Sequence, residues 1–396
     1  SGCYYFMAHM NERFDDQRKA VIARYTPLEP EELQDGAFDI DWFRECYELL
    51  GEKNFSLLYK AAKYISDGQK HSRARKYADA ATGKTSLEAL EAEIEARRNK
   101  DLLMSYGLVP FGENRESDMV KRYQFIQNYS KEAKQFGAQR RASETKAAQI
   151  GLVNLSVHAG FADVTRLTLN METRLIEEFK PYMQWKPVDD VELCLQVGED
   201  GKSEILCRKQ EKILKSVPSR LGKDPYVLEV KDAHKKLKEQ YVRTKKLMEE
   251  SMENGAWFTA AETAGLLKNP VVKAVLEPLV FAGEQGMGFV SAAEEGRGGD
   301  APGPLPEEIK AGAGSAILPE ETEAGTDFGR GKIRLTSWDG ESRILQGSEK
   351  IRIAHPLDFY KAGLWHEYQK ILFDRQIRQP FKQVFRELYV KLSEEE

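Results

Sequence analysis

Apolar residues recur at spacings of three and four along most of this chain, the pattern of helices that bury one face. The pattern is densest in 136–179. There Ala147 to Val157 is apolar around nearly its whole circumference, which predicts a buried helix. Gly160 stands where a left-handed residue would end that helix, and Asp163 is placed to cap the next. So short a connection predicts two antiparallel neighbours. Upstream, Asp39 or Asp41 opens a helix through Trp42, Phe43, Cys46, Leu49 and Leu50, and Gly51 stops it. Phe55, Leu58, Tyr59, Ala62 and Ile65 carry the next stripe. Thr85-x-x-Glu88 is a capping box for a helix over 86–98, and 115–135 forms a further block. Asp224-Pro225 starts the longest helix, which reaches about Met252 and spans roughly 40 Å at ~1.5 Å per residue. Thr259-x-x-Glu262 opens a short helix, and Asn269-Pro270 breaks and restarts the pattern.

The period changes to two at Val191, Leu193, Leu195 and Val197, followed by Asp200-Gly201, a two-residue hairpin turn signal. With that turn, opposed positions sum to 401 and Cys194 faces Cys207. Residues 284–331 collapse into Gly, Ala, Pro and Glu, a composition that cannot offset its ordering entropy, so a flexible loop is expected. Strands resume over 332–337, around Ile344 and at Ile351–Ile353, and His355-Pro356 ends them. Two helices follow, the last carrying Phe381, Val384, Phe385, Leu388 and Leu392. The expected fold is mainly α: a multi-helix, bundle-like body with one β-hairpin at 191–208 and a small C-terminal β cluster. The domains read as an N-terminal helical segment (1–95), a helical core (96–283), the loop (284–331) and a strand cluster with C-terminal helices (332–396).

Composition narrows the class. The chain has 396 residues, 41% hydrophobic and 31% charged, with a net charge of −5, which predicts no bulk affinity for polyanions. Four cysteines make no disulfide framework and point to a reducing, cytoplasmic setting, which favours reduced thiols at Cys194 and Cys207 over a disulfide or redox switch. No run approaches the ~18 apolar residues of a spanning helix. The chain opens on Ser1, as a fragment of a longer protein would.

Several constellations bear on chemistry. Ala78-x-x-x-x-Gly83-Lys84-Thr85 has phosphate-loop spacing, but Arg73–Tyr77 before it is no buried strand, so Gly83 reads as a helix stop and Thr85 as a cap. Ser143-Glu-Thr-Lys146 has the serine–lysine spacing of acyl-transfer enzymes without a partner motif. The six histidines show no metal-ligand spacing, and neither a metal nor a cofactor is expected. A candidate polar site gathers Arg140, Arg141, Asn154, His158, Arg166, Glu172 and His355. For Arg140 and Arg141, anion binding competes with ion pairs to Glu177 and Glu178; for His158, catalysis competes with a satisfied core position. The strongest charge feature is 202–246, with fourteen Lys or Arg against six Asp or Glu. It supplies the candidate nucleic-acid contacts Lys209, Lys212, Lys235, Lys236, Arg243 and Lys245. The acidic loop 284–331 could neutralise it, and aromatic interleaving is sparse.

Further stretches carry a family resemblance: Arg98 to Gly107, Phe136 to Arg140 with Ala142-Ser-Glu144, Ala159-Gly-Phe161 with Arg166 and Met171-Glu172, Lys215-Ser-Val-Pro218, the 225–252 helix, Asn269-Pro270, His355-Pro356, and Gln379-Pro-Phe-Lys-Gln383 with Arg386-Glu387. Together they resemble the bacterial domain of unknown function four-one-three-two over roughly 95–390. That domain occurs in large MolR-like proteins, often with a WGR domain and helical repeats. The resemblance implies a cytoplasmic bacterial protein with a regulatory label and no established activity. The preferred expectation is a non-catalytic interaction or scaffold module of such a protein, whose partner is another protein or another domain of the same chain, with no membrane contact. The alternatives are a nucleic-acid-associated regulator using 208–246 and an enzyme with a polar site around His158, Arg166 and Glu172.

Overall fold

Helices carry the first half of the chain in the computed structural model, which describes residues 2–11, 13–65, 70–210, 212–284, 286–293 and 331–388. The chain divides into two compact units, residues 1–171 and 172–396. The first unit is built from α1 (Gly2–Ala8), α2 (Asp16–Ile22), α3 (Pro30–Asp35), α4 (Ile40–Ile65), α5 (Ser72–Ala81), α6 (Leu87–Arg97), α7 (Lys100–Tyr106), α8 (Arg115–Glu132) and α9 (Ala138–Ala159). α10 (Val164–Leu175) contains the boundary.

Local chemistry sets these limits. The Asp39 carboxylate accepts the amides of Asp41 and Trp42 at 3.0 and 2.9 Å and so starts α4. Gly51 breaks that helix with φ 66° and ψ 162°, which separates the two apolar stripes read from the sequence. Ser86, not Thr85, caps α6 through the amide of Ala89 at 3.2 Å. The core of this unit is aromatic. Tyr5, Phe6, Phe38, Trp42, Phe43 and Phe55 interleave around His9, whose ring centroid lies 4.7 Å from that of Tyr5. α9 ends at Gly160 (φ 83°) and Asp163 accepts the amide of Arg166 at 2.8 Å, as the sequence predicts. α9 packs on α7 and α8. Gly107 and Gly151 allow that approach. A methyl on Gly107 would stand 2.8 Å from Leu155 Cβ, and one on Gly151 would stand 3.2 Å from the Leu103 carbonyl oxygen. Gln149, Val153 and Val157 remain exposed on α9, so its burial is incomplete.

The second unit is mixed. β1 (Lys186–Val188), β2 (Val191–Val197), β3 (Ser203–Lys209) and β4 (Lys212–Leu214) form an antiparallel sheet in that order. Val230, Ala233 and Leu237 of α11 (Pro225–Glu253) pack over Leu195 of this sheet. A six-stranded antiparallel sheet follows. Its strands are β5 (Trp257–Thr259), β6 (Val280–Gly283), β7 (Gly286–Ala292), β8 (Ile333–Thr336), β9 (Ser342–Leu345) and β10 (Lys350–Ile353), in the order β5-β10-β6-β7-β8-β9. α12 (Ala260–Leu266) and α13 (Pro270–Leu276) lie between β5 and β6, and α14 (Pro356–Ala362) and α15 (Trp365–Asp374) come after β10. Phe359 of α14 and Tyr368, Ile371 and Leu372 of α15 form a core cluster with Val280 and Ala282 of β6.

The chain is therefore mainly α with a β minority, and the sheets are larger than the sequence predicts. The hairpin register also differs. Leu193 opposes Cys207 and Cys194 opposes Leu206, so opposed positions sum to 400. The turn holds three residues, with Gly198 N–H bonded to the Lys202 carbonyl and Gly201 left-handed at φ 74°. The extra residue moves the two cysteines out of opposition, and both are free thiols. Strand β7 occupies part of the expected loop 284–331; residues 294–330 of that loop lie outside the described residues, as does Leu392. The predicted final helix through Phe381 and Val384 does not form, and that stretch is irregular up to residue 388. Side chains of Gln379 and Gln383 bond the backbone there in place of helical partners.

Candidate functional site

Most polar residues singled out in the sequence are engaged in internal bonds. Asn154 is 1% exposed: its carbonyl accepts the Phe38 amide at 2.9 Å and its amide donates to the carbonyls of Gly36 and Met104 at 3.1 and 3.0 Å. His158 Nδ1 donates to the Gly107 carbonyl at 2.7 Å and its ring stacks on Phe111 with centroids 4.6 Å apart. Burial, reinforced by Arg122, Arg44 and Arg115, pushes its pKa down to about 4 against the opposing effect of that hydrogen bond. Arg166 is bonded to Asp163. Arg140 pairs with Glu144 of its own helix at 2.9 Å and covers the Phe136 ring at 3.6 Å, while Arg141 is exposed. Glu172 and His355 belong to the second unit. Glu172 is 3% exposed and accepts from Arg243 at 2.8 Å; His355 caps α14, its Nδ1 accepting the Leu357 amide at 3.2 Å.

Part of the basic stretch is paired with acids close by. Lys209 pairs with Asp190 at 2.6 Å, Lys236 with Asp232 at 2.9 Å and Arg243 with Glu172. Arg220 bonds both Asp189 and Asp190, and Arg208 meets Glu192 at 2.6 Å. Lys212 and Lys235 are exposed and Lys245 is half-buried. These acids sit in the β1–β2 turn and on strand and helix neighbours. The phosphate-loop spacing falls on a helix end: α5 precedes it, Gly83 is left-handed at φ 69°, and Lys84 lies 5.2 Å from the Tyr59 ring centroid.

A different cluster encloses a cleft. Arg98 takes the left-handed conformation (φ 49°) at the end of α6, rare for a residue with a side chain, and Asn99 caps α7 through the amides of Asp101 and Leu102. This corner aims the Arg98 guanidinium at Glu144 (3.0 and 2.8 Å), Glu132 (2.8 Å) and the Tyr129 carbonyl (2.9 Å), over the Tyr129 ring at 3.9 Å. Burial alone would raise the Glu144 pKa, but bonds from Arg98 and Arg140 hold it below the usual carboxylate range. α6, α7, α8 and α9 are thereby tied around one wall. Opposite, Arg73 of α5 is 4% exposed and donates through Nη1 to the carbonyls of Gln34 and Leu33 at 2.7 and 3.4 Å.

The space between measures about 490 Å³ and is lined by four cations (Arg73, Arg98, Lys100 and Lys146), two carboxylates (Asp35 and Asp101) and the Ser143 hydroxyl. Lys146 pairs with Asp35 at 2.6 Å, and Lys100 Nζ donates to Ser143 Oγ at 2.8 Å. None of the seven candidate polar-site residues lines this cleft. Two clues were present in the sequence: the serine–lysine spacing at 143–146 and the Arg98–Asp101 stretch. No periodicity argument brings them together with Arg73, which lies a whole helix upstream.

Among the described residues, no helix is long and apolar enough to cross a membrane. No curated protein and no solved structure matches the chain. The resemblance motifs between 98 and 172 fall outside the match to the domain they resemble, which begins at 212 rather than near 95. Residues 212–396 match the model of a domain of unknown function (DUF4132), and residues 1–171 match that of a family of unknown function (DUF5724).

Proposed function

We propose that this chain is a non-catalytic interaction module of a larger bacterial protein, MolR-like and cytoplasmic, in which a WGR domain accompanies it. The observation that carries the reading is the internal engagement of His158 and Arg166: neither is placed to exchange a proton with a bound substrate. His158 points at a backbone carbonyl under a phenyl ring and Arg166 at Asp163. Contact with a protein partner is supported by Leu57 and Tyr64, seven residues apart on one face of α4, 58% and 79% exposed. A large apolar side chain left that open gains by being covered. The regulator alternative loses support because three of its six candidate contacts, Lys209, Lys236 and Arg243, meet acids within a few ångströms.

The test uses the whole chain as bait in extract from its own source. Leu57→Asp with Tyr64→Asp is expected to release the captured partner, while His158→Gln retains it. Nucleic-acid binding at ~50 mM salt is expected to be absent. Binding that weakens steeply with added salt, and less steeply after charge reversal at Lys235, Lys236 and Lys245, would replace this reading with the regulator.

A further inference from the structure

We propose that the cleft between α5, α7 and α9 is a binding site for a small organic phosphate monoester, held by Arg73, Lys100 and Ser143. Its volume, about 490 Å³, lies within the ~300–1,000 Å³ usual for small-molecule sites. Some of its donors are already spent and others are not.

Arg98 is consumed by two glutamates and a carbonyl, and Lys146 by Asp35. Both are walls rather than ligand contacts. Lys100 has no carboxylate partner among the described residues; it donates to a neutral hydroxyl, that of Ser143. Ser143 Oγ accepts that bond, so its own proton is available to a ligand oxygen. Arg73 is only 4% exposed, yet its Nε finds no hydrogen-bond acceptor among the described residues. The nearest carboxylate oxygen, of Asp101, stands 3.7 Å away. A buried guanidinium donor without an acceptor is costly, and a ligand oxygen that supplies one recovers that cost.

The three donors differ in kind and together suit one chemistry. A guanidinium, an ammonium and a hydroxyl can address the three terminal oxygens of a phosphate monoester, whereas a carboxylate offers two. Asp101 does not oppose the anion with a full charge, because Lys76 lies 3.4 Å from its other oxygen. Its free lone pairs, with those of Asp35, accept hydroxyl or amino groups on the body of the ligand. Met104 and Ile150 supply an apolar floor. The site binds and does not acylate. Lys146 of the serine–lysine spacing turns to Asp35, and Lys100 Nζ donates to the Ser143 hydroxyl, which no group is placed to activate as a nucleophile among the described residues.

Calorimetric titration of the whole chain with inorganic phosphate, glycerol 3-phosphate and acetate at fixed ionic strength tests this. Saturable one-to-one binding is expected for both phosphates, tighter for glycerol 3-phosphate, and none for acetate. Lys100→Ala should weaken glycerol 3-phosphate about tenfold and Ser143→Ala about threefold. Lys121→Ala, outside the cleft, should leave it unchanged. Arg73→Met removes the buried donor and is read only with an intact melting transition. The two surface variants decide the question if that one does not fold. No saturable binding up to about 20 mM of either phosphate overturns the proposal. So does binding that Lys100→Ala and Ser143→Ala leave intact, or acetate bound as tightly as phosphate.

Discussion

Burial decides the chemistry of single residues in the first unit. His158 under Phe111 and His9 inside the aromatic core both have their pKa pushed down to about 4, chiefly by loss of water around the charged form. In the unfolded chain each takes up a proton near 6.5, so between pH 6.5 and 4 the unfolded state binds more protons than the folded one. Stability is therefore fully present above pH 6.5 and falls as the pH drops towards 4, by up to ~1.4 kcal/mol per pH unit for each imidazole. Glu144 adds to the loss at still lower pH, because its bonds to Arg98 and Arg140 hold its folded pKa below the unfolded one. His158→Gln keeps a donor for the Gly107 carbonyl but removes one titrating group. Urea unfolding at about pH 7, 6 and 5 should show roughly half the histidine-linked slope in this variant, at a cost of about 1 kcal/mol at neutral pH. An unchanged slope would mean that His158 titrates as it does in water.

Elements meet where side chains are missing. α7 and α9 approach backbone to backbone because Gly107 and Gly151 face Leu155 and Leu103, and Asn154 then ties α9 to the ends of α3 and α7. A methyl at Gly107 would lie 2.9 Å from the Leu155 Cα, and a backbone atom cannot turn aside as a rotamer does. Gly107→Ala is expected to cost about 2–3 kcal/mol in chemical denaturation. Gly112→Ala, with nothing within 4 Å of the new methyl, should be neutral or slightly stabilising. Equal effects would remove the close-crossing account. The same elements mark what the sequence could disclose. Caps and stops at Asp39, Gly51, Gly160, Asp224 and Asn269 act within a few residues of their own helix, and all are found where the pattern put them. The packing of α9 on α7 depends on two glycines 44 positions apart, which no local pattern relates. β7 was hidden for a similar reason. Gly286 and Gly288 read as loop, yet Gly288 is small because a methyl there would come within van der Waals radius of the Thr336 carbonyl on β8.

On the scale of the molecule, the motifs shared with a known domain are structural, and the cleft draws on other residues. Asn269 caps α13 and donates to the Glu172 carbonyl, His355 caps α14, and Arg386 bonds Glu249 and Glu253 near the end of α11. The Gln379-Pro-Phe-Lys-Gln383 stretch closes the second unit. Gln383 is 0% exposed; its amide donates to the carbonyls of Val280 and Ala354, both at 2.8 Å, and its oxygen accepts the Val280 amide at 3.0 Å. One side chain thus bonds β6 and the residue after β10 to a terminal segment that lacks helical bonds of its own. Gln379 supports it, donating to the Pro278 carbonyl at 3.0 Å and to Gln383 at 2.7 Å while accepting the Val384 amide at 3.1 Å. Gln383→Leu keeps most of the volume but strands two buried backbone groups, the Val280 amide and the Ala354 carbonyl, each costing about 1–3 kcal/mol when left without a partner, while the Val280 carbonyl keeps the Ala354 amide at 2.9 Å. Partial rescue by water in the loosened segment brings the expected loss to about 3–4 kcal/mol. Hydrogen exchange at the Val280 amide should accelerate, and protease should cut between 375 and 388 before it cuts the sheet. Lys382→Ala, next to it but exposed, should change neither. If the two variants behave alike, the terminal segment is held by Phe381 and Val384 packing alone, and the glutamine clamp contributes nothing to closing the unit.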